Sequence, residues 1–388
     1  MFYMTEERQL MVNITKEFME KEARPVALEH EREKKFPLGL YRRASELGLL
    51  AIPFPESHGG LGSDWTTFAL VVEEIGKVMP ILAIAIGSSS VLAGGLVETA
   101  GTPGQIEKYM IPANKGDIIF AGAFTEATGG SNFFEMQGNA VQDGDEWVIN
   151  STKLFITNAG GAADVYLVLV RTGELEPATA GGFSFFFVEK GTPGFTTAPP
   201  EIKMGFHGSN SGVVTLKDVR VPKENLLGKP GDGLKYLIVN SPDEFMLSGA
   251  LCLGMAEGAY DMALKYSMQR MQHGKSMFDN YQVTRHKLAD MKLEIEALRS
   301  FIYTAYEMRD KGTMPMEWGR MLKIKASKVA EYVAGEAIQL HGGVGVIFGT
   351  GVERFWRDAK INQIAGGSIE ACKESLASAI RADYFKTS

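Results

Sequence analysis

Apolar positions recur at helical spacing from about residue 4 to residue 116, as in "LVVEEIGKVMPILAIAIGSSSVLAGGLVETAG", and predict an N-terminal α domain over 1–116. Within that run Ser88, Ser89, Ser90, Gly94 and Gly95 leave one side of a helix without bulk. This suits either the close approach of a neighbouring helix or the wall of a ligand pocket. Beyond residue 117 the period shortens. Runs such as "WVIN", "DVYLVLV", "GFSFFFVEK" and "SGVVTLKDVRV", parted by Gly, Asp, Asn and Pro turns, predict a compact antiparallel β domain over 117–228. After "VPKENLLGKPGDG" long helical patterns return and predict a C-terminal α domain over 229–388, so a β unit lies between two α units.

Two interruptions stand out in the last unit. "LHGGVGVIFGTG" is rich in glycine but follows a helix instead of a strand, which makes it a poor dinucleotide-binding fingerprint. "RDAKINQIAGGSIEACKES" breaks at Ala365-Gly366-Gly367-Ser368. Glycine costs a helix about 1 kcal/mol per residue, so bare backbone here calls for a local reason.

Composition narrows the function classes. With 388 residues, 45% hydrophobic and 22% charged, the chain reads as globular and too long for one small core. A net charge of −7 gives no electrostatic case for nucleic acid or anionic membrane. The two cysteines, Cys252 and Cys372, are remote in sequence and predict reduced thiols, and none of the six histidines has metal-ligand spacing. The N-terminal stretch lacks the basic and apolar regions of a signal peptide, and no uninterrupted apolar run is long enough for a bilayer. The expectation is a cytoplasmic protein.

The segment opening "FTEATGGSN" at Phe124 offers backbone amides and hydroxyls in a Gly-rich turn that a phosphate or a polar ring edge can approach. By itself it equally describes a plain hairpin. Four further segments change that balance: "PESHGGLG" at 55–62, "KMGFHGSNSGVVTLKDVRVPKENLLG" at 203–228, "YQVTRHKLADM" at 281–291 and "QLHGGVGVIFGTGVERFWRDAKI" at 339–361. Together and in this order they resemble the acyl-CoA dehydrogenase family of FAD-dependent flavoproteins over nearly the whole chain. The resemblance implies an α+β fold in which an N-terminal α-helical domain, an antiparallel β-barrel-like domain and a four-helix bundle follow one another. It also implies a homotetramer, an acyl-CoA substrate and an electron-transfer flavoprotein as partner.

Carried onto this sequence, the resemblance places Phe124, Thr125, Gly130 and Ser131 along the flavin, with Ser131 also near the acyl-CoA. Phe155, Ile156 and Thr157 would cover the other side of the ring. Arg270, Gln272, His273 and Gln282, with Gln339, Leu340, Gly342 and Gly343, would hold the pyrophosphate and adenosine end across a subunit interface. Ser368 and Glu370 would also contact FAD. Arg270 could instead be a solvated helical charge. The implied reaction removes a proton from the α-carbon of the thioester and a hydride from the β-carbon, while a backbone N–H and a flavin hydroxyl polarise the carbonyl.

Most of the family carries the base as Glu in a "Tyr-Glu-Gly-Thr" loop, where this chain has Ala365-Gly366-Gly367-Ser368. A minority, the isovaleryl-type and long-chain-type enzymes, place it on a helix of the C-terminal domain. Ungapped counting puts that position at Glu244. The expected catalytic groups are therefore Glu244 and the Gly366 N–H, with Asp243 and Gly367 near the substrate and small Ser248 and Cys252 leaving room for a ligand. The competing reading makes Ser241-Pro242-Asp243-Glu244 a capping box at a helix start. Phe245 and His207 stand where the family has Arg, His273 stands where it has Phe, and one extra residue lies between His273 and Gln282.

The departures point to an unusual substrate or a variant reaction, and the Gly at the loop with the thin Ser/Gly helix at 87–95 would enlarge an acyl pocket, which points to a short branched, cyclic or otherwise bulky acyl group. Alternatives keep the fold for enoyl-CoA reduction or desulfination. Last comes a non-catalytic flavoprotein that binds nucleic acid, disfavoured by the near balance of charge after residue 240.

Overall fold

The computed structural model describes residues 3–387. The N-terminal domain holds α1 (Glu6–Phe18), α2 (Arg24–Glu33), α3 (Leu38–Glu46), α4 (Trp65–Val78), α5 (Pro80–Gly87) and α6 (Gly95–Ala100), followed by the short α7 (Pro103–Gln105) and α8 (Ile111–Asn114). Helix starts are written in the sequence. Asp64 accepts the Thr67 amide at 2.6 Å to open α4, and Thr102 with Gln105 forms a capping box at α7. A π-helical turn, Ser88–Gly94, joins α5 to α6, so Pro80–Ala100 is continuous and by length and composition could cross a bilayer. The expectation that no such run exists is corrected. The segment is 83% buried, as the core helix of a folded domain.

The small residues in this helix serve packing. A Cβ on Gly87 would lie 2.3 Å from Leu247 Cδ2, and one on Gly95 would lie 2.4 Å from Asn240 Oδ1. Ser89 accepts the Phe120 amide at 3.0 Å. Of the two uses open to this stretch, close approach of a neighbour is the one built.

The middle domain contains β1 (Phe120–Ala123), β2 (Asn139–Asp143), β3 (Glu146–Ile156), β4 (Val165–Glu176), β5 (Gly181–Glu189), β6 (Phe195–Thr197), β7 (Gly212–Pro222) and β8 (Leu226–Leu227). The order is β6-β7-β3-β2-β4-β5-β8, with β1 laid against β4. Most pairs are antiparallel, but β1 runs parallel to β4 and β2 touches β4 in parallel at Asn139 and Arg171, so the wholly antiparallel expectation is corrected. The run of "GFSFFFVE" without polar alternation follows from burial on both faces. Phe186 and Val188 pack with Trp147, Tyr166 and Val168 on one side, while Phe183, Phe185 and Phe187 join the helical core on the other.

The last domain is built on α9 (Gly233–Gln269), α11 (Gln282–Asp310) and α12 (Met316–His341), closed by α13 (Val352–Asn362) and α14 (Ile369–Thr387). A hairpin of β9 (Met271–Gln272) and β10 (Lys275–Ser276), then α10 (Met277–Asn280), links α9 to α11. The capping-box reading of Ser241 to Glu244 fails here, because these residues lie inside α9 and no helix begins at them. Pro242 has no N–H for the Ile238 carbonyl, and the Ser241 hydroxyl donates to that oxygen instead, at 2.8 Å. A buried network joins the helical domains. Glu73 of α4 accepts from Arg299 of α11 at 2.6 Å and also from Tyr303, while Arg299 reaches Glu257 of α9.

Candidate active site

Glu244 projects from α9 toward the loop between α13 and α14. Its Oε1 lies 2.8 Å from the point where a Cβ on Gly366 would stand, and Lys323 Nζ lies 3.9 Å from the same point. The Glu244 carboxylate makes no hydrogen bond within the described residues, whereas its neighbour Asp243 is committed to Arg309 through two contacts of 2.6 and 2.9 Å. Asp243, expected on the substrate side, is thus already paired with a cation. Burial pushes the Glu244 carboxyl up from the ordinary carboxylate range, and the Lys323 ammonium opposes that shift.

The loop keeps its backbone free. Gly366 and Gly367 have φ of 63° and 89°, and neither amide donates within the described residues. Ala365 and Ser368 are anchored. The Ala365 N–H bonds the Ile361 carbonyl at 2.9 Å, and Ser368 caps α14 by accepting the Ala371 amide at 3.2 Å. A Cβ on Gly367 would be 3.1 Å from Phe245 Cε1, so the aromatic ring that replaces the family's Arg packs on this loop. Ser248 and Cys252 do not open room for a ligand. Asn362 donates to both, at 2.9 and 2.7 Å, and they are buried against α13. Both cysteines are free thiols.

Where the resemblance expects the flavin, Phe155 sits at φ 60° in an irregular stretch of β3 between Lys153 and Ile156, and the residue is 66% exposed. A large aromatic held outward at a strained backbone position fits one side of a planar ring better than it fits solvent. The Leu154 amide bonds the Thr125 carbonyl at 2.8 Å, which ties this bulge to the Phe124–Thr125 segment. Ile156 is buried beneath it. The hydroxyls of Thr125, Ser131 and Thr157 have no partner within the described residues, and a Cβ on Gly130 would meet Thr125 Cγ2 at 3.4 Å.

The turn after Thr125 is shaped by a pair that sequence reasoning passed over. Glu126 accepts the Gln137 and Gly138 amides and the Ser151 hydroxyl, and it forms a 2.7 Å salt bridge with Lys153. Lys153 is fully buried, donates also to the Phe124 carbonyl at 3.0 Å, and is pushed down to about 8 by desolvation against the pull of Glu126.

The residues expected at the nucleotide end gather at one end of the helical domain. Tyr266 stacks on His341 with ring centroids 4.4 Å apart, which brings the ends of α9 and α12 together. Beside them lies the hairpin, whose turn residues His273 and Gly274 have φ of 49° and 78°, the geometry of a tight two-residue turn. Met277 donates to the Arg270 carbonyl at 2.9 Å, and Asn280 to the Gln272 carbonyl at 3.2 Å. The side chains of Arg270, Gln272, His273, Gln282 and Gln339 have no partner within the described residues; Gly342 and Gly343 stand in open space, and Leu340 is buried. Glu370 is exposed and only 3.9 Å from Lys373. A chain with this many polar groups left unpartnered around two glycine turns fits FAD. His207, by contrast, is away from this chemistry. Its Nδ1 lies 2.9 Å from Glu31 of α2, which also accepts from Arg357 of α13 at 2.6 Å.

A helical domain, a curled β domain and a helical bundle follow one another along the chain, and a carboxylate meets unpaired amides at the glycine loop between the last two helices. Family models for the acyl-CoA dehydrogenase N-terminal, middle and C-terminal domains match residues 5–117, 121–219 and 231–380. The chain belongs to the acyl-CoA dehydrogenase family, oxidoreductases acting on a CH–CH pair with FAD as cofactor. It is 34% identical to the short-chain specific acyl-CoA dehydrogenase of Clostridium acetobutylicum, over 96% of this chain and 97% of that one. Identity is 35% to the acryloyl-CoA reductase (NADH) of Anaerotignum propionicum, over 97% and 95%. A solved structure from work on the electron transferring flavoprotein of Acidaminococcus fermentans superposes with a TM-score of 0.93 at 35% identity, covering 97% of this chain and 98% of that one.

Lys323 was not legible as a site residue. In "RMLKIKASK" it looks like one more surface lysine; the available signal was its place beside Leu322 and Ala326 on the apolar stripe of α12, all three of which are buried.

Proposed function

We propose that this protein dehydrogenates a short-chain acyl-CoA, with Glu244 as the base for the α-proton and the Gly366 N–H as donor to the thioester carbonyl. The observation that carries the reading is the position of Glu244. It is a half-buried carboxylate without a hydrogen-bond partner among the described residues, and its oxygen reaches the space that a side chain at 366 would enter. FAD, when bound, would supply the acceptor for the hydride of the β-carbon. The chain's own part is to take the proton at a Glu244 oxygen and to stabilise the negative charge that builds on the carbonyl oxygen through a donor already in place. An α-proton beside a thioester is a weak acid, so the raised affinity of a half-buried Glu244 for protons brings base and substrate closer in strength.

A short acyl chain is supported by the name of the Clostridium relative. The branched, cyclic or bulky alternative loses one of its supports, because Gly87, Ser89 and Gly95 are used for packing. Only the open glycine loop still favours it. The acryloyl-CoA reductase relative gives reason to test the reverse direction, in which Glu244 would deliver a proton to the α-carbon. An electron-transfer flavoprotein as acceptor is supported by the Acidaminococcus neighbour. A homotetramer is supported by exposed Val346, Ile347 and Phe348 after α12, which suit a subunit contact.

The test is anaerobic bleaching of the flavin by a panel of straight, branched and cyclic acyl-CoAs, run with wild type and Glu244→Gln. The reading expects bleaching by butyryl-CoA in wild type and its loss in the variant with FAD still bound. Full turnover by the variant would refute it.

A further inference from the structure

Lys323 is a buried group for which neither the reaction nor the cofactor has given a use. It lies on α12 with 1% of its surface exposed, and its Nζ donates to the Ala365 carbonyl at 2.8 Å and approaches Asn362 Oδ1 at 3.5 Å. Desolvation of an ammonium is costly, so a lysine is kept in such a place only where the surroundings use its charge. Three titratable groups face it: Glu244 and Cys252 from α9, and Cys372 from α14, with Arg320 and Glu370 acting more remotely through Cys372. Both thiols are pushed up by burial and so are neutral at ordinary pH, the Cys252 thiol to about 11. Glu244 is the one partner that can carry full negative charge, and among the described residues Lys323 is the one charge that bears on it.

Resting on the assignment of Glu244 as base, we propose that Lys323 is a positioning residue that serves both halves of the site at once. Its ammonium clamps the Ala365 carbonyl and so fixes the direction of the next amide, that of Gly366, while its charge holds Glu244 ionised across the same small space. The two are not in contact. No hydrogen bond or ion pair joins Lys323 to Glu244, which leaves the carboxylate oxygens free to receive a proton. A direct salt bridge would hold the carboxylate ionised just as well but would block and weaken it as a base. A cation one step removed, pinned to a backbone carbonyl, avoids that. Ala365 is thereby gripped on both sides, its N–H on the Ile361 carbonyl and its C=O on Lys323, and the free Gly366 N–H shares the peptide plane of that C=O.

The experiment is the pH dependence of kcat in holoenzyme, for wild type, Lys323→Met, Lys323→Arg and Glu244→Gln. It is paired with an infrared titration of the Glu244 carboxyl, taken as the difference between each Glu244-bearing protein and its Glu244→Gln counterpart. The expected result is that Lys323→Met moves the carboxyl titration and the acid limb of kcat upward together, by about one pH unit, a tenfold change in proton affinity. The Lys323→Arg variant keeps the limb near its wild-type position, and KM for the acyl-CoA changes less than kcat. The titration needs only folded protein, checked by thermal melting, so it reads out even where turnover is lost. Should Glu244→Gln abolish turnover while Lys323→Met leaves the carboxyl titration in place, the role given to Lys323 is wrong and the base assignment stands. Turnover by Glu244→Gln would overturn the base assignment and this proposal with it.

Discussion

Glu244 and Gly366 share one volume: a Cβ on Gly366 would come within 2.8 Å of the Glu244 Oε1 atom, closer than real side chains tolerate. The glycine break in the last third of the chain is therefore the counterpart of a carboxylate that arrives from another helix. Gly366→Ala is expected to displace the Glu244 carboxylate and to strain a residue at φ 63°. Because a shift of about 1 Å at a reacting group can cost on the order of a hundredfold, kcat for acyl-CoA dehydrogenation falls by about two orders of magnitude. FAD content, read from the visible spectrum, stays at the wild-type level.

The reciprocal exchange sharpens this. In Glu244→Gly with Gly366→Glu the carboxylate would start from the loop, where most of the family has it, and the volume once filled by Glu244 is free. Turnover with butyryl-CoA recovers at least tenfold over Glu244→Gly alone, a return of about 1.4 kcal/mol in the barrier. Stopped-flow reduction of the flavin measures it, and no recovery would mean that the two positions do not serve one reacting atom.

The succession of domains and the glycine loop were legible because they are local: period, turn residues and β-branched runs state them directly. Lys323 and Lys153 were not legible because a place on an apolar stripe marks a lysine as near the core without naming the group it meets there. Their partners, the Ala365 carbonyl and Glu126, lie 42 and 27 residues away. The capping motif at Ser241 misled for a related reason. Ser, Pro and Glu at those spacings start many helices, and only the approach of α12, where a Cβ on Gly319 would be 3.0 Å from the Pro242 Cα, marks this stretch as the middle of a packed helix.

The Ser241 hydroxyl stands in for the amide that Pro242 lacks. Ser241→Ala leaves the Ile238 carbonyl without that donor and costs about 1 kcal/mol. Ser241→Thr, which keeps the hydroxyl, costs less. Urea unfolding of the two variants separates the lost bond from the change in side-chain size.

Asp358 of α13 accepts from the Phe206 amide and is surrounded by Glu31, Arg354 and Arg357, with His207 on the far side of Glu31. Burial and Glu31 push its carboxyl up to about 7, above the ordinary 3.8. In the window between those values the folded protein binds more protons than the unfolded one, so this group makes stability fall as pH rises. Asp358→Asn keeps an acceptor for the amide and removes the titration. The difference in stability between variant and wild type therefore moves in favour of the variant between about pH 5 and pH 8, by roughly 2–3 kcal/mol at most. Denaturant melts at the two pH values give that difference, and an unchanged gap would place the titration elsewhere.

Glu126 and Lys153 form a buried ion pair beneath the turn that carries Thr125, Gly130 and Ser131. Lys153 also donates to the Phe124 carbonyl, so removing its ammonium frees the backbone of the very segment expected to lie along the flavin. Lys153→Met leaves Glu126 charged and buried, partly compensated by the Gln137 and Gly138 amides. A destabilisation of about 3 kcal/mol follows from breaking one side of such a pair. The double variant with Glu126→Gln loses less than the sum of the two single changes, because the second change removes the orphaned charge. Flavin release during the melt should precede unfolding of the helical domains in Lys153→Met. Simultaneous loss of flavin fluorescence quenching and helical circular dichroism would mean instead that the pair supports the whole fold and not the turn.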